Sequence, residues 1–445
     1  MKKNLFFAMM AICVMASCSK DSDVAGGSDN DQEAAIQLSV TSQNARATTK
    51  GIGMVGGQTT ETNVWNGETV NIYAIEKHFP TGTTTYDTYS YQLTNDGVST
   101  TVNGDLLLIN NEPAIAPTAT VEPMNQSKLA WKDNITRYFP RTKAYDFFGY
   151  HIDDASTGDP EIIEVASKDS AIAVPFIIDG SQDLMVAKAI LTDDQKALLP
   201  AADQGKAYSA YTARKDVQPN MTFNHQLTQL NFNVYAGNKG GENIFIKEIR
   251  VKSRNTGKLL VVYNPSVTDY IQWEETPQFL KLQEEAASAT PTDKLVALNN
   301  GITWYITSAS EYEMNIPATK PSDMSMFSKY HPEWKEGAAK QDSVSIGAGI
   351  LVAPAGASTY DVEFDVVQYY DIDGNRIPFS QSTYSYPTQR ISPPTTGKSA
   401  GEFQAGWAYN INLTVWGLQK IDITAVLTAW QDGGSIPVDP ENNEF

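Results

Sequence analysis

Gly406-Trp-Ala-Tyr-Asn-Ile-Asn-Leu-Thr-Val415 and Ile421-Asp-Ile-Thr-Ala-Val-Leu427 are the stretches that decide the fold class. Trp407, Tyr409, Ile411, Leu413 and Val415 fall on every second residue of the first, and Ile421, Ile423, Ala425 and Leu427 do so in the second. A period of two puts one set of side chains on one face of an extended strand. Gly417 to Lys420 turns the chain between them, so the two stretches predict a β-hairpin with one apolar face.

The same signal recurs outward from there. Ile36, Leu38 and Val40 alternate with polar neighbours, as do Val70, Ile72 and Ala74. Ala144-Tyr-Asp-Phe-Phe-Gly-Tyr-His-Ile152 is dense in β-favouring residues, and Asp361 to Tyr370 sets Val362, Phe364 and Val366 on one face. Aromatic residues make up 10% of the chain, with 21 tyrosines. The body therefore reads as all-β. Helix is confined to connections: Thr192 caps a short run that stops at Pro200, and Thr276 with Pro277 opens a second over 276–287.

At 445 residues the chain is long enough for two β-sandwich domains, placed at 34–217 and 218–445. The boundary falls in the polar stretch Tyr211 to Asn220. Beyond it, Met221, Phe223, His225 and Leu227 alternate, then Leu230, Phe232 and Val234 do so out of phase. A bulge near Thr228-Gln229 accounts for that slip.

Few residues suggest chemistry. Gly51-Ile-Gly-Met-Val-Gly-Gly57 spells a dinucleotide fingerprint, but no strand leads in and no helix follows, so it reads as a glycine loop. Asp371-Ile-Asp-Gly-Asn375 begins like a calcium loop but lacks its distal glutamate and reads as a turn. The four histidines, His78, His151, His225 and His331, are scattered; His225 alternates with Phe223 and Leu227 and is expected to pack inward. No nucleophile elbow or zinc motif occurs, and no cofactor or metal site is expected. The net charge is -19 with no basic run, which argues against nucleic acid as a partner.

The two cysteines, Cys13 and Cys18, both lie in the first 18 residues. Lys2 and Lys3 precede an apolar run from Leu5 to Val14, about half the ~20 residues a spanning helix needs. Residues 1–17 read as a secretory signal, and Met15-Ala-Ser-Cys18 resembles a bacterial lipobox. That resemblance implies acylation of Cys18 and an outer-membrane lipoprotein. Residues 18–33 are small and acidic, with the composition of a disordered tether.

Three internal blocks and the closing hairpin resemble those of a known family. The blocks are Arg137-Tyr-Phe-Pro-Arg-Thr-Lys-Ala-Tyr-Asp-Phe-Phe-Gly-Tyr150, Gln182-Asp-Leu-Met-Val-Ala187 and Phe223-Asn-His-Gln-Leu-Thr-Gln-Leu-Asn-Phe232. With the hairpin from Gly406 to Gly434, they follow the order of the Mfa-like and FimA-like fimbrillins of Bacteroidetes. The resemblance implies two transthyretin-like Greek-key β-sandwiches in a non-enzymatic subunit of a type V pilus (fimbria), supporting cell adhesion. It implies cleavage by a trypsin-like protease just past the first strand. Here that is Arg46–Ala47, or Lys50–Gly51 as second choice, which removes the strand at 34–45. It further implies that the C-terminal segment of an incoming subunit fills the vacated groove. The donor residues are then Ile421, Ile423, Ala425, Leu427, Ile436 and Val438. The partners are other fimbrillin subunits, the protease, the outer membrane through the lipid on Cys18, and a host or glycan ligand. The rival reading is a surface lipoprotein that binds glycans without polymerising, with Trp65, Trp131, Trp273 and Trp334 as candidate sugar platforms.

Overall fold

A computed structural model describes residues 34–42, 67–77, 93–95, 100–102, 105–116, 127–153, 155–165, 169–236, 244–263, 267–274, 276–282, 344–368, 370–371, 373–378, 383–395, 400–417 and 420–428. The fold is all-β, and the described residues include three short helices at Asp193–Ala197, Ala201–Gln204 and Ala210–Ala213.

The strand Tyr145–Ile152 lies at the centre of a ten-stranded sheet, between Thr69–Glu76 and Leu184–Lys188. Seven of its eight residues are buried, because both faces of the sheet are covered. One face gives Val70, Ile72, Ala74, Phe147, Met185 and Phe223 to a first core. The sheet curls around that core. Ser127–Lys128 pairs with one end of the strand order, and Ala130–Trp131, next in sequence, pairs back to Asp105–Ile115. The opposite face gives Tyr73, Phe148, Tyr150 and Val186 to a second core. That core is closed by a sheet built on Asp169–Ile177, Thr256–Val262 and Ile271–Trp273.

Eight further strands form a sandwich of two four-stranded sheets. One runs Val344–Val352, Thr228–Ala236, Ala408–Gly417, Lys420–Thr428, and the other Gln278–Lys281, Ile244–Ser253, Tyr360–Gln368, Thr383–Ile391. Their inner faces supply a third core that includes Leu230, Phe232, Val234, Phe364, Ile411 and Leu413. The predicted hairpin is present, with Val415 opposite Ile421 and Ala408 opposite Thr428. The run beginning at Asp371 is the predicted turn: the Asp371 carboxylate accepts from the backbone of Asp373 and Asn375.

Two local expectations are corrected. Residues 278–281 form a strand and not the start of a helix. Arg250 to Ser253 pairs with them, and Leu280 and Leu282 are buried at strand spacing, so tertiary pairing overrides local helix propensity. The phase slip after Leu227 is no bulge at Thr228-Gln229. There the chain leaves one sheet for another. Gln226 N still donates to Leu184 O (2.8 Å), while Gly406 N donates to Leu227 O (2.8 Å) and Gln229 N to Trp407 O (3.0 Å). Met221 and Phe223 face the first core, Leu227 reaches the second, and Leu230, Phe232 and Val234 face the third. The helix after Thr192 forms as expected, with a capping box between Thr192 and Gln195.

Candidate functional site

The N-terminal segment 34–42 occupies a slot in the ten-stranded sheet. Ala34–Ala35 pairs with Tyr138–Phe139. Ser39–Ser42 then lies between two neighbours, parallel to Asn220–His225 and antiparallel to Ser127–Lys128. Ile36 N donates to Arg137 O (2.8 Å), Leu129 N to Leu38 O (2.9 Å) and Ser39 N to Pro219 O (3.1 Å). Side chains add to the grip. Ser39 Oγ donates to Asn220 Oδ1 (3.0 Å), and Gln218 both accepts from Gln37 N and donates to Ala35 O. Ile36, Leu38 and Val40 are buried in the first core with Leu129, Phe139, Met221 and Phe223.

The alternation of Ile36-Gln-Leu-Ser-Val40 explains this burial, since every second residue points into the core. No hairpin ties the segment to either sheet neighbour, Asn220–His225 or Ser127–Lys128. The slot between these two neighbours is therefore filled by a segment far from both in sequence. Vacated, it would expose unpaired backbone groups on both sides and an apolar floor. An extended segment with apolar residues at i, i+2 and i+4 would satisfy both.

The three internal sequence blocks converge on the floor beside the slot. Their strands, Tyr145–Ile152, Leu184–Lys188 and Asn220–His225, are consecutive in the sheet. His225 packs inward as expected, and its Nδ1 is 2.6 Å from Asp183 Oδ2, both side chains being fully buried. Asp183 Oδ1 also accepts from Leu184 N at 2.8 Å. Asp146 lies between Lys77 (3.6 Å) and Lys188 (3.9 Å). Burial pushes the Lys77 amine down to about 8, against the opposing pull of Asp146. Gly149 is required by close approach: a Cβ there would stand 2.8 Å from the ring of Phe223. These blocks brace the strand that flanks the slot. Replacing Asp183 by Ala removes a buried hydrogen-bond partner of His225 and is expected to cost about 1–3 kcal/mol, read from urea unfolding. A loss under about 1 kcal/mol would show that the dyad does not brace the sheet.

Toward the other end of the chain, Lys420–Thr428 pairs, among the described residues, only with Ala408–Gly417 and so stands at the edge of its sheet. Ile421, Ile423 and Ala425 are half-buried against the third core, and Leu427 pairs with Tyr409. Ile436 and Val438 lie outside the described residues, as do Cys18, Arg46, Ala47 and Lys50. Of the candidate sugar platforms, Trp131 holds the Arg137 guanidinium over its ring at 4.2 Å, and Trp273 meets Phe176 edge-on at 5.4 Å. Trp65 and Trp334 are outside the described residues. Among the described residues, no group of His, Cys, Asp and Glu is gathered as a set of metal ligands.

No protein-family model matches the chain, and no curated protein does. Solved structures do. The chain is similar to a candidate cell adhesion protein from Bacteroides uniformis, at 14% identity over 91% of this chain and 100% of that one, with a TM-score of 0.38. It is similar to the fimbrial anchor protein Mfa2 of Porphyromonas gingivalis, at 10% identity over 89% and 99% of the two chains, with a TM-score of 0.32. It is also similar to the tip fimbrial protein Mfa3 of Porphyromonas gingivalis, at 8% identity over 89% and 100%, with a TM-score of 0.29.

Proposed function

We propose that the chain is a structural subunit of a cell-surface type V pilus that supports adhesion. It is exported as an outer-membrane lipoprotein on Cys18 and polymerises by protease-triggered strand exchange. The observation that carries this reading is the seat of residues 34–42, an N-terminal strand held in the sheet by backbone pairing, side-chain hydrogen bonds and burial. Arg46 follows its last residue, Ser42, within a few positions. Cutting after Arg46 would sever the covalent tie between that strand and the body and would separate the body from the lipid. The strand's loss is unfavourable until a donor replaces it, which couples processing to assembly. Ile421, Ile423, Ala425 and Leu427, with Ile436 and Val438 beyond them, repeat the spacing of Ile36, Leu38 and Val40. A donor from one copy filling the slot of the next makes a head-to-tail contact, which generates an open filament.

Two variants test separate parts of this. Cys18→Ala should abolish incorporation of radiolabelled palmitate; unchanged labelling would remove the anchor from the account. Arg46→Ala combined with Lys50→Ala should leave lipidated monomers on the cell and no filaments containing this subunit, scored by electron microscopy. Filaments of normal length from that double variant would contradict processing at this site. Binding of the monomer to glycans, with no filaments from wild-type cells, would favour the rival reading.

A further inference from the structure

Seven large apolar side chains are exposed among the described residues, and five of them, Ile135, Tyr138, Ile190, Leu198 and Tyr211, border one end of the slot. Tyr138 pairs with Ala35, the start of the seated strand, and Ile135 lies in the loop just before it. The loop is held by the Arg137–Asp133 pair at 2.8 Å. Tyr211 belongs to the helix Ala210–Ala213, which packs beside Ala34–Ala35. Leu198 ends the helix Asp193–Ala197, whose Gln195 donates to Gln218 O, and Gln218 in turn donates to Ala35 O. Ile190 follows Ala189, which bridges to Met221 opposite Val40. The strand Leu184–Lys188 runs antiparallel to Asn220–His225, which carries Ile190 toward the same end as Ala34.

This rim is built on fixed elements. Capping boxes at Thr192 and Ser209 lock the two helices that carry Leu198 and Tyr211. Ile190 is 70% exposed although it follows Ala189, a buried residue of the first core, and Ile135 is 61% exposed. Exposed apolar side chains gathered at one place on a rigid frame mark an interaction surface.

We propose that the rim is the docking surface for the body of a second copy of this chain. This rests on the strand-exchange reading. A segment drawn from the end of one copy into the slot of another remains tethered to its own second sandwich. That sandwich must then stand at one end of the slot, and among the described residues the end that offers it exposed apolar side chains is the one bordered by these five. The rim and the strand together form one continuous interface: the strand supplies register and the rim fixes the angle between subunits.

Two measurements on cells producing the full-length chain test this. A photo-crosslinking benzoylphenylalanine placed at position 198 should join this chain to a second copy of itself, with the attached peptide mapping within 344–428. Crosslinks confined to one chain, or to other proteins alone, would overturn the proposal. Ile190→Lys combined with Leu198→Lys should lower filament yield by about tenfold or more. The same variant, once cut, should capture a synthetic peptide of residues 420–438 as wild type does. Wild-type filament yield from it would overturn the rim. If cut wild-type protein captures no such peptide, the strand-exchange reading fails, while a crosslink between copies at position 198 would still support the rim.

Discussion

A chain that begins at Ala47 is expected to melt roughly 10–20 °C below the full-length protein, and to regain part of that loss when a peptide of residues 34–42 is added in excess. Ile36, Leu38 and Val40 are all buried in the first core. Burial of three such side chains contributes about 5–8 kcal/mol. The backbone bonds to Arg137, Leu129 and Pro219 are lost with them. Each buried group left without a partner costs about 1–3 kcal/mol more. Thermal unfolding followed by circular dichroism reads the difference. A peptide at a hundredfold excess over its dissociation constant should return about 2.7 kcal/mol. An unchanged melting temperature would mean that the seated strand is dispensable, and no drive for strand exchange would remain.

Removal of residues 431–445 is expected to leave the melting temperature within a few degrees of wild type and to abolish filaments, as seen by electron microscopy. The structural reason lies in Lys420–Thr428. This strand pairs with Ala408–Gly417 along its length and packs Ile421, Ile423 and Ala425 on the third core. The second sandwich is therefore stabilised by residues up to Thr428. Removal of the whole of 420–445 should instead destabilise that sandwich, because Ile411 and Leu413 would lose their edge neighbour. Filaments of normal length from the shorter deletion would show that donation does not need the tail. Donation would then have to come from Ile421 to Leu427.

Much of this architecture is legible in the sequence because it is local. The hairpin of Trp407 to Leu427 and the strand Tyr145–Ile152 follow from alternation and aromatic density alone. So does the inward set Ile36, Leu38 and Val40. What is not legible is pairing between distant segments. Nothing in Ile36 to Val40 says that it lies parallel to Asn220–His225, since the registers of strands far apart are set by a shared core and not by a turn. Asp183 and His225 are each visible in a recognisable block, yet their 2.6 Å contact needs the sheet to bring them together. The stretch 276–282 misleads for the opposite reason. Thr276, Pro277 and a run of helix-favouring residues satisfy local rules, and only the neighbouring strand Ile244–Ser253 makes 278–281 extended. The exposed rim of Ile135, Tyr138, Ile190, Leu198 and Tyr211 is scattered along the chain and becomes a surface only in the fold.

Strand exchange requires the seated strand to leave the subunit before assembly. The most direct measurement is N-terminal sequencing of this chain recovered from surface filaments. The expected mature chain begins at Ala47, or at Gly51 if the cut follows Lys50. A chain that begins at Cys18 within a filament would keep the strand 34–42 covalently attached to its body, and would contradict the mechanism.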